Sequence, residues 1–310
     1  MAFSLLNQLR QINRHLVELP CPGCDQDDPH LIWRYDRYFL RVNLSACRHC
    51  GLVYLARGMK DDTQARFYGQ LYPRLMRQPP ATKAMWNYKL IAGYRFSEIS
   101  AVVGQCQSVM DVGAGLGFFL AACRAHNYDS YIGLEPGGPQ YDHAVQVLGL
   151  GGHVRPEKLD EETQLPFAPQ LVTLFHVLEH IQEPGKALAR IAKLMDPKGW
   201  LVIEVPDIEA DWHELGLLQV HVSHRSYFSQ QTLEKLLNAN GFYVQHWSRE
   251  AYGIYEGNLR AYARLGETAK PEVAPLPTPV HDLQAHILKQ IRPLSLRNGY
   301  PRMAWRLARL

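Results

Sequence analysis

Residues 174–181 read Leu-Phe-His-Val-Leu-Glu-His-Ile and contain His176-x-x-Glu179-His180. On a helix, that spacing would turn two imidazoles and a carboxylate toward one divalent ion, as in an inverted zinc-protease helix. A second set is Cys21-Pro22-Gly23-Cys24 and Cys47-Arg48-His49-Cys50, separated by 22 residues. Two-residue spacing lets one tight turn offer two thiolates, and two such turns complete a tetrahedron around zinc. With four sulfur ligands such a site is closed, and a closed zinc site is structural. Cys106 and Cys123 stand alone and read as core packing. A third set is Asp111-x-Gly113-Ala114-Gly115-x-Gly117, with Glu135 twenty residues beyond Gly115.

What each set can do depends on the element that carries it. Residues 107–112 form a short apolar strand, the glycines a turn, and FFLAACRAH a helix. SYIGLE (130–135) is a second strand, followed by a helix near 139–148. LVTLF (171–175) and WLVIEV (200–205) are further strands, with the helical pattern GKALARIAKLM between them. Ser229 has the chemistry of an N-cap for the next helix, which stops at Gly241. FYVQHW and LRAYARL (259–265) read as two closing strands. This alternation predicts an α/β, Rossmann-like, doubly wound and mostly parallel sheet. A small N-terminal zinc-ribbon module precedes it, and a helical C-terminal tail follows. The expected boundaries are 1–20 for a leading helix, 21–80 for the ribbon and connector, 81–265 for the α/β domain, and 266–310 for a Pro-rich linker and basic tail. Ligands of such sheets bind beyond the carboxyl ends of the strands.

The glycine turn selects the ligand. A dinucleotide fingerprint would need glycine at 118, where the chain has Phe118. Asp111 beside the loop would repel a pyrophosphate and suit a cation. S-adenosylmethionine carries a sulfonium and an ammonium and no phosphate, and glycine still lets the backbone approach it closely. Glu135, at the end of the second strand, can accept hydrogen bonds from both ribose hydroxyls. The H-x-x-E-H string follows a strand and soon meets Pro184, so it reads as a loop rather than a metal-binding helix.

VMDVGAGLGFF and IGLEP resemble the first two motifs of class I S-adenosylmethionine-dependent methyltransferases. FHVLEHIQEPGKAL and LMDPKGWLVIEVPD resemble the fourth- and fifth-strand signatures of one branch, over roughly residues 85–265. CPGC…CRHCGLVYLARG, RFYGQLY, HVSHRSYFS and EGNLRAYA are similar to segments of the zinc-ribbon subset that includes sugar C-methyltransferases. The resemblance implies that Asp111, Gly113, Ala114, Gly115, Gly117, Phe118, Glu135, Pro136, Phe175 and His176 bind the donor. It implies that His224, Tyr227 and His180 face the acceptor, with His224 favoured as base and His221 as a further candidate. Tyr68 and Tyr72 are similar to tyrosines that cap the pocket. Ser223 stands where the sugar C-methyltransferases have glutamate, and residues 266–310 stand where they have a third domain, so O- and N-methylation stay open. Glu179 and His180 could also serve only to hydrogen-bond loop backbone. His213, His221 and His224 form an alternative metal set.

The net charge of +3 over 310 residues does not suit a protein that coats nucleic acid. In the ribbon, Arg34, Arg37, Arg41 and Arg48 balance Asp25, Asp27, Asp28 and Asp36. No apolar run approaches the ~18 residues of a membrane span. Gln8, Arg10, Asn13 and Arg14 interrupt what a signal peptide would keep apolar, so the cytoplasm is the expected compartment. The basic residues of 281–310 could instead dock a membrane surface or a partner, or cover the chain's own domain. The expected acceptor is a small biosynthetic intermediate, with nucleotide sugars the first candidates. An RNA methyltransferase gripping its substrate through the ribbon is the alternative, and a non-catalytic binding protein a third.

Overall fold

The computed structural model describes residues 2–75, 82–211, 216–250, 257–266 and 280–294. Its centre is a seven-stranded sheet. From one edge to the other the strands are Phe242–Glu250, Asn258–Leu265, Trp200–Pro206, Leu171–Phe175, Ser108–Val112, Ser130–Leu134 and Val154–Arg155. Asn258–Leu265 runs antiparallel to both its neighbours, and the remaining pairs are parallel. Val109, Met110, Leu171, Val172, Leu201 and Val202 are buried, as a sheet covered on both faces requires. The chain order reverses between Ser108–Val112 and Leu171–Phe175, which opens a crevice at their carboxyl ends.

Between the two cysteine pairs the segment LIWRYDRYFLRVNL folds as a hairpin. Strands Pro29–Tyr35 and Arg41–Cys47 pair antiparallel around a turn. Asp36 makes that turn: its Oδ1 accepts the N–H groups of Tyr38 (2.8 Å) and Leu40 (2.9 Å). Val53–Leu55 adds a third strand, and Ser226–Tyr227, from far along the chain, adds a fourth. Helix Ala2–His15 covers this small sheet with Leu5, Leu9 and Ile12. Helix Val280–Leu294 joins the same core through Leu283, Ile287 and Ile291. The remainder of the tail, with Arg297, Arg302, Arg306 and Arg309, lies outside the described residues. Ser229 caps helix Gln230–Ala239: its hydroxyl accepts the Thr232 N–H while Thr232 Oγ1 accepts the Ser229 N–H. Among the described residues no helix is long and apolar enough to cross a membrane.

Candidate active site

A cavity of about 500 Å³ fills the crevice at the point where the strand order reverses. Its sheet side is made by Asp111, Gly113, Ala114, Gly115, Phe118 and Phe175. The loop is held from behind. The N–H groups of Gly113 and Ala114 donate to Leu134 O at 2.7 and 3.1 Å, and the Gly115 N–H donates to Glu135 Oε2 at 2.9 Å. Asp111 Oδ1 accepts the Thr173 hydroxyl at 2.7 Å. Glu135 stands behind the loop and Pro136 beside it at the surface. Gly113 has φ +71°, and a Cβ there would lie 2.4 Å from Val177 Cγ2. Gly117 has φ +81°, and its Cβ would lie 2.8 Å from Ala144 Cβ and Leu150 Cδ1. Its glycine thus lets the 143–147 segment approach the loop, a packing reason that the spacing alone did not give.

Burial pushes the Asp111 carboxyl up to about 7, against the pull of the Thr173 hydroxyl. Burial also pushes Glu135 up to about 7, against the Gly115 N–H. A cationic, diol-bearing donor favours the ionised form of both. Binding should therefore release protons near pH 7, and affinity should climb as pH rises through that value. Calorimetric titration of S-adenosylmethionine in buffers of different ionisation enthalpy should show release of about one proton per chain at pH 7, vanishing about two units higher. A heat independent of buffer would place the donor away from these carboxylates.

Behind the donor side sits a buried charge cluster. Glu204, fully buried, accepts from Arg260 Nη2 (2.5 Å) and Nε (3.0 Å) and from Arg95. Glu98 takes Arg260 Nη1 at 2.5 Å. His176 Nε2 lies 3.2 Å from Glu204, and its Nδ1 lies 3.4 Å from Glu179. Burial alone would lower the His176 pKa, but Glu179 and Glu204 more than offset it and hold the ring protonated, at about 9. His176 adopts φ +56°, with its N–H donating to Glu204 O at 2.9 Å. Arg95 then lies over the Phe175 ring at 4.5 Å and lines the cavity. Sequence reading missed this cluster. Part of its signal is present, because Glu204 interrupts an otherwise apolar strand, whereas Arg260 shares its strand with Asn258 and Arg264.

The opposite wall carries Arg37, Tyr72, Glu179, His180, His221 and His224. Glu179 and His180 lie on the single 3-10 turn Leu178–His180, so the H-x-x-E-H string is not a continuous helix. His180 Nδ1 donates to Ser223 O at 2.8 Å, and the Tyr68 hydroxyl lies 3.3 Å from the same nitrogen. The His221 and His224 ring centroids lie 3.7 Å apart with their planes tilted by 47°, and the His180 and His224 rings meet edge to face at 4.7 Å. Burial pushes the pKa values of His180, His221 and His224 down, the last two far down, so all three rings are neutral at neutral pH. The Tyr227 hydroxyl accepts the His221 N–H at 3.2 Å and braces this turn from behind the cavity. His213 lies outside the described residues.

The ribbon positions that wall. Asp36 Oδ2 accepts the Val222 N–H at 3.0 Å, and the Arg37 N–H donates to Val220 O at 2.9 Å. Buried Arg225 donates to the carbonyls of Leu55 and Pro20, while its N–H donates to Glu179 O at 2.7 Å. Cys21 Sγ lies 3.5 Å from Cys50 Sγ, and Cys24 Sγ lies 3.6 Å from Cys47 Sγ. All four sulfurs fall within 4.8 Å of one another. A tetrahedral zinc with ~2.3 Å bonds to sulfur sets its ligands ~3.8 Å apart, so the cluster fits that ion. Cys106 and Cys123 are buried in the core of the larger sheet, as expected.

Comparison with known proteins agrees with this geometry. A tRNA U34 carboxymethyltransferase of Syntrophotalea carbinolica is 30% identical over 205 residues, covering 60% of this chain and 62% of that protein. An uncharacterized methyltransferase of Mycobacterium sp. (strain JLS) is 32% identical over 117 residues, 36% of this chain and 44% of that one. The chain thus spans less than two thirds of the length of these curated relatives. The fold matches that of the Burkholderia thailandensis 1,6-didemethyltoxoflavin-N1-methyltransferase, solved with 1,6-didemethyltoxoflavin and S-adenosylhomocysteine. The TM-score is 0.52 at 17% identity, covering 78% of this chain and all of that one. Residues 62–246 match the methyltransferase domain family, and the chain, with the glycine loop, acidic strand ends and switch-point cavity of its S-adenosylmethionine-dependent members, belongs to that family.

Proposed function

We propose that the protein transfers a methyl group from S-adenosylmethionine to a small, sugar-containing biosynthetic intermediate held against the histidine wall, with zinc on Cys21, Cys24, Cys47 and Cys50 stabilising that wall. The observation that carries this reading is the single cavity joining the glycine loop to His180, His221 and His224. When bound, the donor supplies an activated methyl carbon on positive sulfur. The chain supplies alignment and exclusion of water. Asp111 and Glu135 orient the donor, with Gly113, Ala114, Gly115 and Phe118 beneath it. Phe175 and His176 close that side, and Pro136 flanks the ribose end. On the acceptor side Arg37 offers a guanidinium to an anionic substituent such as a diphosphate. A proton leaving the acceptor has neutral imidazoles to receive it, His224 first by sequence position. Tyr227 holds the His221–His224 turn in place.

His224→Gln should lower turnover by about 10²–10⁴-fold while leaving donor affinity unchanged. The assay is transfer of labelled methyl from S-adenosylmethionine to a panel of nucleotide sugars. Labelling of none of them, with good labelling of tRNA, would overturn the sugar reading.

The tRNA-modifying relative is what favours a second reading, methylation of RNA. Against it, the exposed ribbon charges balance in number, Arg34, Arg41 and Arg48 against Asp25, Asp27 and Asp28. Asp36 and Arg37 are withdrawn into the fold. A surface for phosphate backbone needs an excess of positive charge.

A further inference from the structure

We infer that Glu179, His180 and His224 form a second metal site, distinct from the cysteine cluster, that takes a divalent transition ion on the acceptor side of the cavity. One ligand atom from each of the three lies within 4.8 Å of the others. The ligands come from two segments far apart in sequence. Asp36 and Arg225 bring these together through bonds to Val222 and to Glu179 O.

The carboxylate is the informative member. Glu179 is 1% exposed, and neither of its oxygens has a hydrogen-bond partner. Protonated His176 faces Oε1 through Nδ1 at 3.4 Å as a loose ion pair outside hydrogen-bond geometry, which leaves Oε2 with no partner at all. A buried carboxylate with one loose ion pair and no hydrogen bond is costly, and a bound ion would satisfy its second oxygen. His180 supplies the second observation. Its Nδ1–H is spent on Ser223 O, which fixes the tautomer and leaves the Nε2 lone pair free. A backbone carbonyl in that position is the usual outer partner of a metal-bound histidine.

Two imidazoles and one carboxylate suit zinc, iron(II) or manganese(II), and are too nitrogen-rich for magnesium or calcium. Around an ion with ~2.1 Å bonds, ligand atoms sit roughly 3.4 Å apart, which small ring and carboxylate rotations supply. Three protein ligands leave a coordination position open toward the cavity. The H-x-x-E-H string therefore gives two ligands after all, with His224 in place of His176. The site stands on its own geometry. Its use, gripping an acceptor through oxygen, rests on the acceptor reading above. With the ion bound, His224 is a ligand, and His221 is the imidazole left to receive a proton.

The test is titration of cobalt(II) into the full, zinc-loaded chain with S-adenosylhomocysteine present. One further equivalent should bind, with d–d absorption and no thiolate-to-cobalt bands, and zinc(II) should displace it. Glu179→Gln and His224→Gln should each weaken that binding at least tenfold. No second equivalent in the wild type, a thiolate-type spectrum, or uptake unchanged in both variants would overturn the site. The wild-type spectrum keeps the test independent of how the variants fold. Loss of S-adenosylhomocysteine binding in the same sample would instead count against the methyltransferase reading and leave the metal result standing.

Discussion

Replacing Cys47 with serine should empty the ribbon of zinc and abolish methyl transfer while the larger sheet stays folded. A structural zinc on thiolates contributes on the order of 10 kcal/mol to a small module, and one lost ligand forfeits much of that. Cys47 is buried, and its neighbours Leu52, Tyr54 and Ala56 share a core with Met110, Leu174 and Phe228. The ribbon edge also receives Ser226–Tyr227, two residues beyond His224. Loss of the ion should therefore loosen the His221–His224 turn first. The donor loop hangs on Leu134 and Glu135, which the ribbon does not touch through any of the hydrogen bonds described. Metal analysis should show the loss of one zinc per chain, and thermal melting should split into an early and a late transition. Donor affinity should stay within about tenfold, and acceptor turnover should vanish. A zinc-free wild type that melts in one unchanged step would contradict this account.

Glu204→Gln should destabilise the protein by about 3–5 kcal/mol, the usual result of removing one partner from a buried ion pair. Arg260 is fully buried and would lose its contacts to Glu204 while keeping the one to Glu98. Arg95 would lose its anchor beneath Phe175. His176, held protonated by Glu179 and Glu204, would lose one of those two carboxylates. Urea unfolding measures the first effect. A further change of Arg260 to Met should recover part of the loss, because it removes a buried charge whose balance Glu204 had supplied. A loss below about 1 kcal/mol would mean that water already reaches the cluster.

Much of this molecule is legible in its sequence because the physics is local. Apolar runs such as LVTLF and WLVIEV have few options other than buried strands. Ser229 and Thr232 specify their helix start, and the cysteine spacing specifies its cluster. What stays hidden depends on distant partners. Ser226–Tyr227 is a two-residue strand that exists only because the ribbon edge receives it. The hairpin turn at 36–40 needs the Asp36 carboxylate, whose second oxygen reaches residue 222. The strand before it and Pro184 after it marked the H-x-x-E-H string as a loop, and its Leu178–His180 part is a single 3-10 turn. Those local signals could not foresee that His224 would arrive beside Glu179 and His180. Glu204 announces itself as a charge in an apolar strand that needs a partner, but Arg260 and Arg264 of the closing strand are equal candidates until the fold buries the first and exposes the second.

The most direct test of the central claim is calorimetric titration of S-adenosylmethionine into wild type and Glu135→Ala. The account predicts one site per chain in the wild type. It predicts affinity weakened by roughly 10–100-fold in the variant, the worth of hydrogen bonds to a charged group. Absence of binding to the folded, zinc-loaded wild type, or equal affinity in the variant, would contradict the assignment of this cavity as the donor site.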